Sequence, residues 1–236
     1  MNARLILLPG LAGDDTMWLA QRAALAGWDP LVADVHMRDH TTIEAMAADL
    51  LAGQQGPLVL CGASMGGMIA MEAARQAPAQ VAGLALLGTT ARPETPEMRK
   101  LRETAIELFG QGRALEVLEA NVAFAFHPDN ARDAVLVRSY LDFVMRAGAQ
   151  QLISQNRAVI GRPDARPHLP GVRCPTLVMC GDSDQLTPPE CSEEIARLVP
   201  GAEMRTVARS GHMLTMEQPT EVSALLRAWL ERLPPY

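Results

Sequence analysis

The sequence predicts an α/β protein built on a parallel sheet, and two observations carry that prediction. Short, almost wholly apolar runs alternate with helical patterns, as expected for parallel strands joined by crossover helices. The alternation stops between about Pro93 and Pro170, where several short amphipathic helical patterns occur without a convincing strand, and then resumes. We therefore expect one sheet whose chain is interrupted by a single helical insertion.

The predicted strands and helices follow in order along the chain. The strand candidates are RLILLPG, DPLVADV, PLVLCG, VAGLALLGT, CPTLVMCG and AEMRTVA. Asp14 and Asp15 precede a helix expected to run to about Ala26, and Thr41 and Thr42 precede IEAMAADLLAGQ, where a helix start needs a hydrogen-bond acceptor. Further helices are expected over MGGMIAMEAARQAP, PPECSEEIARLVP and TEVSALLRAWLERL.

Charge and hydropathy argue against two classes of partner, nucleic acids and membranes. Twenty-one basic and 27 acidic side chains leave a net charge of −6, and no Lys/Arg run occurs, which argues against nucleic acid or an anionic membrane as partner. No apolar run is long enough to span a bilayer, and the N-terminal stretch lacks signal-peptide features, so a cytoplasmic location is expected.

Cofactors and metals are not indicated by the sequence. The four cysteines form no CxxC pair, and neither a G-x-G-x-x-G nor a Walker A pattern occurs, so we expect reduced thiols and no cofactor. Asp34, His36, Asp39 and His40 lie close together and could be interpreted as metal ligands. A loop at the rim of a site is the favoured interpretation.

Residues 62–66 read GASMG and match G-x-S-x-G between a predicted strand and a predicted helix. Such a tight turn leaves no room for side chains two residues on either side of the serine. It presents Ser64 at a helix N-terminus, where backbone N–H groups favour developing negative charge. The pattern and its context predict that Ser64 is a nucleophile.

A nucleophilic serine needs a base, and the base needs an orienting acid. His212 is the only histidine in the last sixty residues, and it follows a predicted strand. A loop there can reach the carboxyl ends of the strands, where sites form in open α/β sheets. The acid is expected after a strand that lies between the serine and the histidine. There, CGDSDQLTPP offers Asp182 and Asp184 as candidates.

Two backbone N–H groups are expected to stabilise an oxyanion. One belongs to Met65, directly after the serine, and the other to Leu11 in LLPGLAGDD, where Gly10 allows close approach of the backbone. The side chains of Trp18 and Met213 are expected to line a substrate pocket.

These residues resemble the α/β-hydrolase superfamily, and more specifically its small serine esterases and lactonases with a helical cap. The resemblance rests on LLPGLAGDD, GASMGG, LALLGTTARPETPE, GDSDQLTPP and SGHMLTMEQP, which occur in family order over essentially the whole chain. It implies a catalytic triad of Ser64, Asp184 and His212, with Asp184 chosen by the family's G-x-x-D pattern. It also implies a core of residues 1–90 and 169–236, a cap at residues 91–168, and a small ester or lactone as substrate.

The sequence departs from the family pattern at three places. Pro9 stands where many relatives have histidine, and Ala63 stands where they often have a bulkier residue. Met1–Arg4 leave no room for the usual N-terminal hairpin, so about six strands are expected.

Alternative functions are compatible with the same residues. The same triad could cleave an enol-lactone, a thioester or a carbon–carbon bond, or catalyse perhydrolysis. A ligand-binding protein on a hydrolase scaffold is the alternative outside the enzymes.

Overall fold

Six parallel strands form a single sheet in the order β2-β1-β3-β4-β5-β6. A computed structural model describes residues 3–33 and 40–234. The strands are β1 (Arg4–Leu8), β2 (Leu31–Val32), β3 (Leu58–Ala63), β4 (Val81–Leu87), β5 (Thr176–Gly181) and β6 (Glu203–Val207). The predicted parallel sheet is therefore confirmed, and the end of the predicted second strand, from Asp34 onward, lies outside the described residues.

Burial explains why the strand sequences are apolar. Every residue of β3, β4 and β5 is buried, whereas the edge strands β2 and β6 are partly exposed. Alternate residues of β1 face opposite sides of the sheet, so that Leu5 and Leu7 belong to one apolar cluster and Ile6 and Leu8 to the other. Both faces are covered, as the near-continuous apolar runs predict.

Among the described residues, six α-helices lie outside the region between β4 and β5: α1 (Leu19–Ala24), α2 (Ile43–Ala52), α3 (Met65–Gln76), α7 (Pro189–Leu198), α8 (Leu214–Glu217) and α9 (Pro219–Leu230). The predicted starts are confirmed. The Asp14 carboxylate accepts from Thr16 N–H at the start of a 3₁₀ helix (Asp15–Trp18) that leads into α1, and the Thr42 hydroxyl accepts from Ala45 N–H at the start of α2. The first α-helix ends at Ala24 rather than Ala26, and α8 was not predicted because one turn is too short to show a period.

Residues 91–168, here called the insertion, lie between β4 and β5. All of these residues are described and none forms a strand; its helices are α4 (Pro96–Gly110), α5 (Ala114–Ala125) and α6 (Ala134–Ile160), with α6 broken at Gly148 (φ 75°, ψ 166°). Phe126 and Phe143 of the insertion belong to the same buried cluster as Leu5 and Leu7 of the sheet. The insertion is thus packed on the sheet through a shared apolar core.

Among the described residues, no helix combines the length and apolar character needed to cross a bilayer.

Candidate active site

Ser64 occupies the sharp turn between β3 and α3. Its backbone has φ 52° and ψ −116°, an unusual conformation for a residue with a side chain that costs on the order of 1–3 kcal/mol. Two hydrogen bonds hold the turn to the end of β4 and the loop after it: Ser64 N–H donates to Leu87 O (2.9 Å), and Thr89 Oγ1 donates to Ser64 O (2.7 Å).

The glycines around Ser64 are required by close packing of backbone on backbone. A Cβ atom at Gly66 would lie 2.1 Å from Leu8 O, and one at Gly62 would lie 2.3 Å from Gly66 O. These distances are far inside van der Waals contact, so the steric reason for the G-x-S-x-G spacing is visible directly. The same contact brings the start of α3 against the end of β1.

A continuous chain of hydrogen bonds joins the three side chains that the sequence singled out. His212 Nε2 lies 2.9 Å from Ser64 Oγ, and His212 Nδ1 lies 2.8 Å from Asp184 Oδ2. The residues come from the loops after β3, β5 and β6, which all end at the same edge of the parallel sheet. Asp184 and His212 are buried, with 3% and 8% of their surface exposed.

Of the two aspartates that the residue pattern left open, Asp184 is the one that contacts His212. Its Oδ1 also accepts from the N–H groups of Leu186 and Thr187 (both 2.9 Å), and its Oδ2 accepts from Thr187 Oγ1 (2.9 Å). Burial acts to raise the pKa of Asp184, but His212 and these donors outweigh burial and hold the pKa below 3.8. The carboxylate is therefore ionised near neutral pH.

Asp182 has a different part in the site, because it holds the loop that carries the histidine. Its carboxylate accepts from Arg209 N–H (2.9 Å) and Ser210 N–H (3.2 Å). These bonds connect the end of β5 to the segment just before His212. Asp182 therefore supports the histidine loop through backbone groups.

Glu217 is a buried carboxylate that sequence reasoning missed. Its Oε1 accepts from the N–H groups of Gly211 (2.9 Å) and Met213 (3.1 Å), which flank His212, and its Oε2 accepts from His127 N–H and Asn130 Nδ2 of the insertion (both 2.8 Å). Burial raises the pKa of Glu217 although these bonds oppose it. The available signal was a glutamate shortly after the histidine in SGHMLTMEQP, in a segment too short to show which side is buried.

The expected oxyanion donors lie next to the serine. Met65 is the first residue of α3, and a Cβ atom at Gly10 would lie 3.3 Å from Ser64 Cβ, which places residues 9–13, the oxyanion loop, against the turn. Within the described residues, neither Leu11 N–H nor Met65 N–H donates to a protein acceptor. Both groups are available for an oxygen of a ligand.

The predicted pocket residues are deeply buried. Trp18 has no exposed surface, Met213 is 4% exposed, and both belong to the cluster shared by sheet and insertion. A cavity of about 640 Å³ lies between residues 12–15 and α6, and its described lining includes Phe143 and Arg146 but neither predicted residue. A pocket role for Trp18 and Met213 stays a prediction.

Of the four candidate metal ligands near residue 36, only His40 lies among the described residues. Asp34, His36 and Asp39 lie outside the described residues, and His40 Nε2 lies 3.6 Å from Asp49 Oδ2. Elsewhere in the described chain, no group of three or more His, Cys, Asp or Glu side chains is arranged to hold a metal ion. The four cysteines are free thiols.

Comparisons with known proteins agree with this architecture. A family model described as alpha/beta hydrolase fold matches residues 4–219. An esterase from Thermogutta terrifontis, solved with malate bound, is 30% identical with a TM-score of 0.89, covering 99% of this chain and 91% of that one. An enol-lactonase from Burkholderia xenovorans LB400 is 25% identical with a TM-score of 0.88, covering 98% of this chain and 93% of the other.

A curated relative extends the comparison to a further ester. A pimeloyl-[acyl-carrier protein] methyl ester esterase from Stenotrophomonas maltophilia is 29% identical over 85% of this chain and 80% of its own length. Family match, sheet order and relatives lead to one conclusion: the chain belongs to the α/β-hydrolase family and is an esterase-like hydrolase.

Proposed function

We propose that the protein hydrolyses small carboxylic esters or lactones through a covalent acyl-enzyme on Ser64. One observation carries the proposal, namely the unbroken chain of hydrogen bonds from Ser64 Oγ through His212 to Asp184, at 2.9 and 2.8 Å. The first distance suits proton transfer from Ser64 to His212, and the second suits an ionised acid that orients the imidazole ring.

The first half of the reaction forms the acyl-enzyme. Ser64 Oγ attacks the carbonyl carbon while its proton moves to His212 Nε2. The carbonyl oxygen becomes an oxyanion and accepts hydrogen bonds from Leu11 N–H and Met65 N–H, each worth about 3–4 kcal/mol in other serine hydrolases. The bond from carbon to the leaving oxygen then breaks, and His212 returns the proton to the departing alcohol.

The second half releases the acid. Water gives a proton to His212 Nε2 and attacks the acyl carbon, and collapse of the second tetrahedral intermediate returns the proton to Ser64 Oγ. Ionised Asp184 holds the ring with its Nδ1–H toward the carboxylate and stabilises the imidazolium that forms twice in each cycle. The product of an ester is an acid and an alcohol, and a lactone opens to a hydroxy acid.

The helical insertion is proposed to act as a cap, residues 91–168, over a core of residues 1–90 and 169–236. The support is its contact with the base, because Ala125 O of the insertion accepts from His212 N–H (2.9 Å) and Met213 N–H (3.2 Å). Because the insertion contacts the backbone of His212, which lies close to Ser64, the insertion is placed to shape the space next to Ser64.

Ester hydrolysis by purified protein tests the proposal. Wild type is expected to turn over p-nitrophenyl acetate and butyrate, and Ser64→Ala to lose at least about 1,000-fold in kcat while unfolding at the same denaturant concentration. Ser183→Ala, which removes an exposed hydroxyl bonded to Asp182, is the control and should keep full activity. Full activity in Ser64→Ala would overturn the mechanism.

A substrate panel separates the remaining chemistries. A lactone, an enol-lactone, a thioester and a diketone are compared with the p-nitrophenyl esters by kcat/KM. We expect the oxygen esters and lactones to give the highest values. The similarity to an enol-lactonase and to a methyl ester esterase supports this expectation. Rapid labelling of Ser64 by a fluorophosphonate without turnover of any panel member would instead indicate a ligand-binding protein.

A further inference from the structure

The oxyanion loop contains a tight turn at residues 10–13. Gly13 N–H donates to Gly10 O (2.9 Å), and Ala12 has φ 58° while Leu11 keeps a negative φ. A positive φ at the third residue alone is the pattern of a type II turn, a position at which glycine or asparagine is usual. Alanine is disfavoured there, so something outside the turn must stabilise this conformation.

A buried side chain from the insertion provides that stabilisation. Gln155 Oε1 of α6 accepts from Ala12 N–H at 2.6 Å, across 143 residues of sequence. Gln155 is 0% exposed and Ala12 is 1% exposed, so water cannot replace the bond. The Leu11–Ala12 peptide is the unit whose orientation distinguishes a type II turn from a type I turn. An acceptor on Ala12 N–H therefore selects the observed orientation.

Other contacts of this loop and of the residues that follow it are weaker or more exposed. Gly10 N–H donates to the thioether sulfur of Met17 at 3.4 Å, a soft acceptor. Arg146 of α6 binds Asp14 Oδ2 and Thr16 Oγ1 (both 2.7 Å), but about half of the Arg146 side chain is exposed. Exposed ion pairs contribute little to stability, which leaves Gln155 as the principal anchor among these contacts.

We propose that Gln155 is a positioning residue for the oxyanion hole, acting through Ala12 to fix the direction of Leu11 N–H. The inference rests on the proposed function, because Leu11 matters only if Ser64 forms a tetrahedral intermediate. Leu11 N–H belongs to the preceding Gly10–Leu11 peptide, which shares the Leu11 Cα with the anchored Leu11–Ala12 peptide. A turn that relaxes after losing its anchor therefore shifts the backbone that carries the donor. The insertion thus completes the machinery of the core, besides any effect it has on substrate access.

Gln155→Leu is the first test, because leucine has a similar volume but no acceptor. Its kcat for p-nitrophenyl butyrate is expected to fall about 10- to 100-fold, as for a misplaced oxyanion donor, with KM changed less than about threefold. The affinity for a trifluoromethyl ketone, which forms its oxyanion only after addition of Ser64, is expected to fall by about the same factor as kcat.

Asn156→Leu is the matched control. Asn156 is the next residue of the same helix and is also buried, but its amide bonds Leu152 O and Arg102 rather than the oxyanion loop. The free energy of unfolding of Asn156→Leu in urea should fall about as much as that of Gln155→Leu, while its kcat stays within about threefold of wild type.

Two further variants test whether the acceptor and the positive φ of Ala12 explain the effect of Gln155→Leu. Gln155→Glu keeps an acceptor oxygen and should retain kcat within about fivefold of wild type. Ala12→Gly in the Gln155→Leu background should recover at least about threefold in kcat, because glycine adopts a positive φ without strain. If Gln155→Leu does not fold, Gln155→Asn, whose amide is one methylene shorter, takes its place in every assay.

The outcomes separate this inference from the proposed function. An unchanged kcat in Gln155→Leu, with Ser64→Ala inactive, overturns the positioning role and leaves the proposed function standing. Equal losses of kcat in Gln155→Leu and Asn156→Leu, in proportion to their stability, also overturn it. Activity that survives Ser64→Ala contradicts the proposed function itself, whatever the Gln155 variants do.

Discussion

Ser64 and Ala12 are two strained residues on opposite sides of the candidate oxyanion site, and they are held in different ways. Both have side chains and a positive φ, 52° and 58°. The conformation of Ser64 is imposed by neighbouring backbone in its own turn and sheet, through Gly62 and Gly66. The conformation of Ala12 depends on Gln155, a side chain 143 residues away. The strain at Ser64 is held by the sheet and helix of the core, and the strain at Ala12 exists only after the insertion has packed.

The serine half and the oxyanion half of the candidate site should therefore respond differently to mutation. The serine half is enclosed by backbone contacts that form when β1, β3 and α3 assemble. The oxyanion half is completed by one buried hydrogen bond from α6. A change in the insertion should therefore affect catalysis mainly through the oxyanion loop and leave the Ser64–His212 contact intact.

The largest expected effect concerns the acid that orients His212 on the serine side of the site. Asp184→Asn should lower kcat by about 1,000- to 10,000-fold, because an amide cannot hold and stabilise the imidazolium in the same way. Asp182→Asn is the matched control, since it changes the same group two positions earlier and removes only loop contacts. We expect it to lose about 1–2 kcal/mol in urea unfolding and less than tenfold in kcat. Equal kinetic losses would contradict the assignment of the acid.

The next effect concerns the steric enclosure of Ser64. Gly66→Ala places a Cβ atom 2.1 Å from Leu8 O, and backbone cannot move aside as a flexible side chain can. We expect at least about 3 kcal/mol of destabilisation, measured by urea unfolding. Gly110→Ala, where nothing lies within 4 Å of the added carbon, should be neutral or slightly stabilising. A tolerated alanine at position 66 would break the comparison, because the serine turn would not need its glycines.

A smaller effect depends on pH and concerns Glu217, which joins the histidine loop to the insertion. The folded-state pKa of Glu217 is raised above 4.5, so the stability gained from its protonation is fully present below pH 4.5 and is lost as pH rises through the folded-state pKa. The free energy of unfolding of wild type minus that of Glu217→Gln should therefore increase as pH falls toward 4.5. Taking the difference removes most of the contributions of the other carboxylates. A difference that shrinks on acidification would contradict the raised pKa.

The smallest effect isolates the strain at Ala12. Ala12→Gly should stabilise the protein by up to about 1 kcal/mol, because relief of the positive φ exceeds the extra freedom of glycine in the unfolded chain. Ala47→Gly, in the interior of α2 with ordinary helical geometry, should destabilise it by about 1 kcal/mol or more. Thermal unfolding of both variants is the measurement, and equal destabilisation would show that Ala12 carries no strain.

Much of the fold and the centre of the candidate site could be predicted from the sequence, because both are expressed in short-range patterns. The apolar runs of the strands reflect burial on both faces, and the run over β3 is followed at once by the glycines that permit the Ser64 turn. His212 could be singled out by its place after the last strand. These signals survive in a linear sequence since each depends on a few neighbouring residues.

The tertiary structure alone decided the parts that depend on direction or on distant contacts. Asp182 and Asp184 have the same chemistry and lie two positions apart, so that only the family resemblance favoured Asp184 in the sequence. The path of the loop after β5 is what turns Asp184 toward His212 and Asp182 toward the backbone before it. Gln155 and Glu217 gave no comparable pattern, because a hydrogen bond between segments far apart along the chain leaves no period or spacing in either segment. Local sterics set by sequence determined where the nucleophile stands, and packing of the insertion against the sheet decided how its surroundings are held.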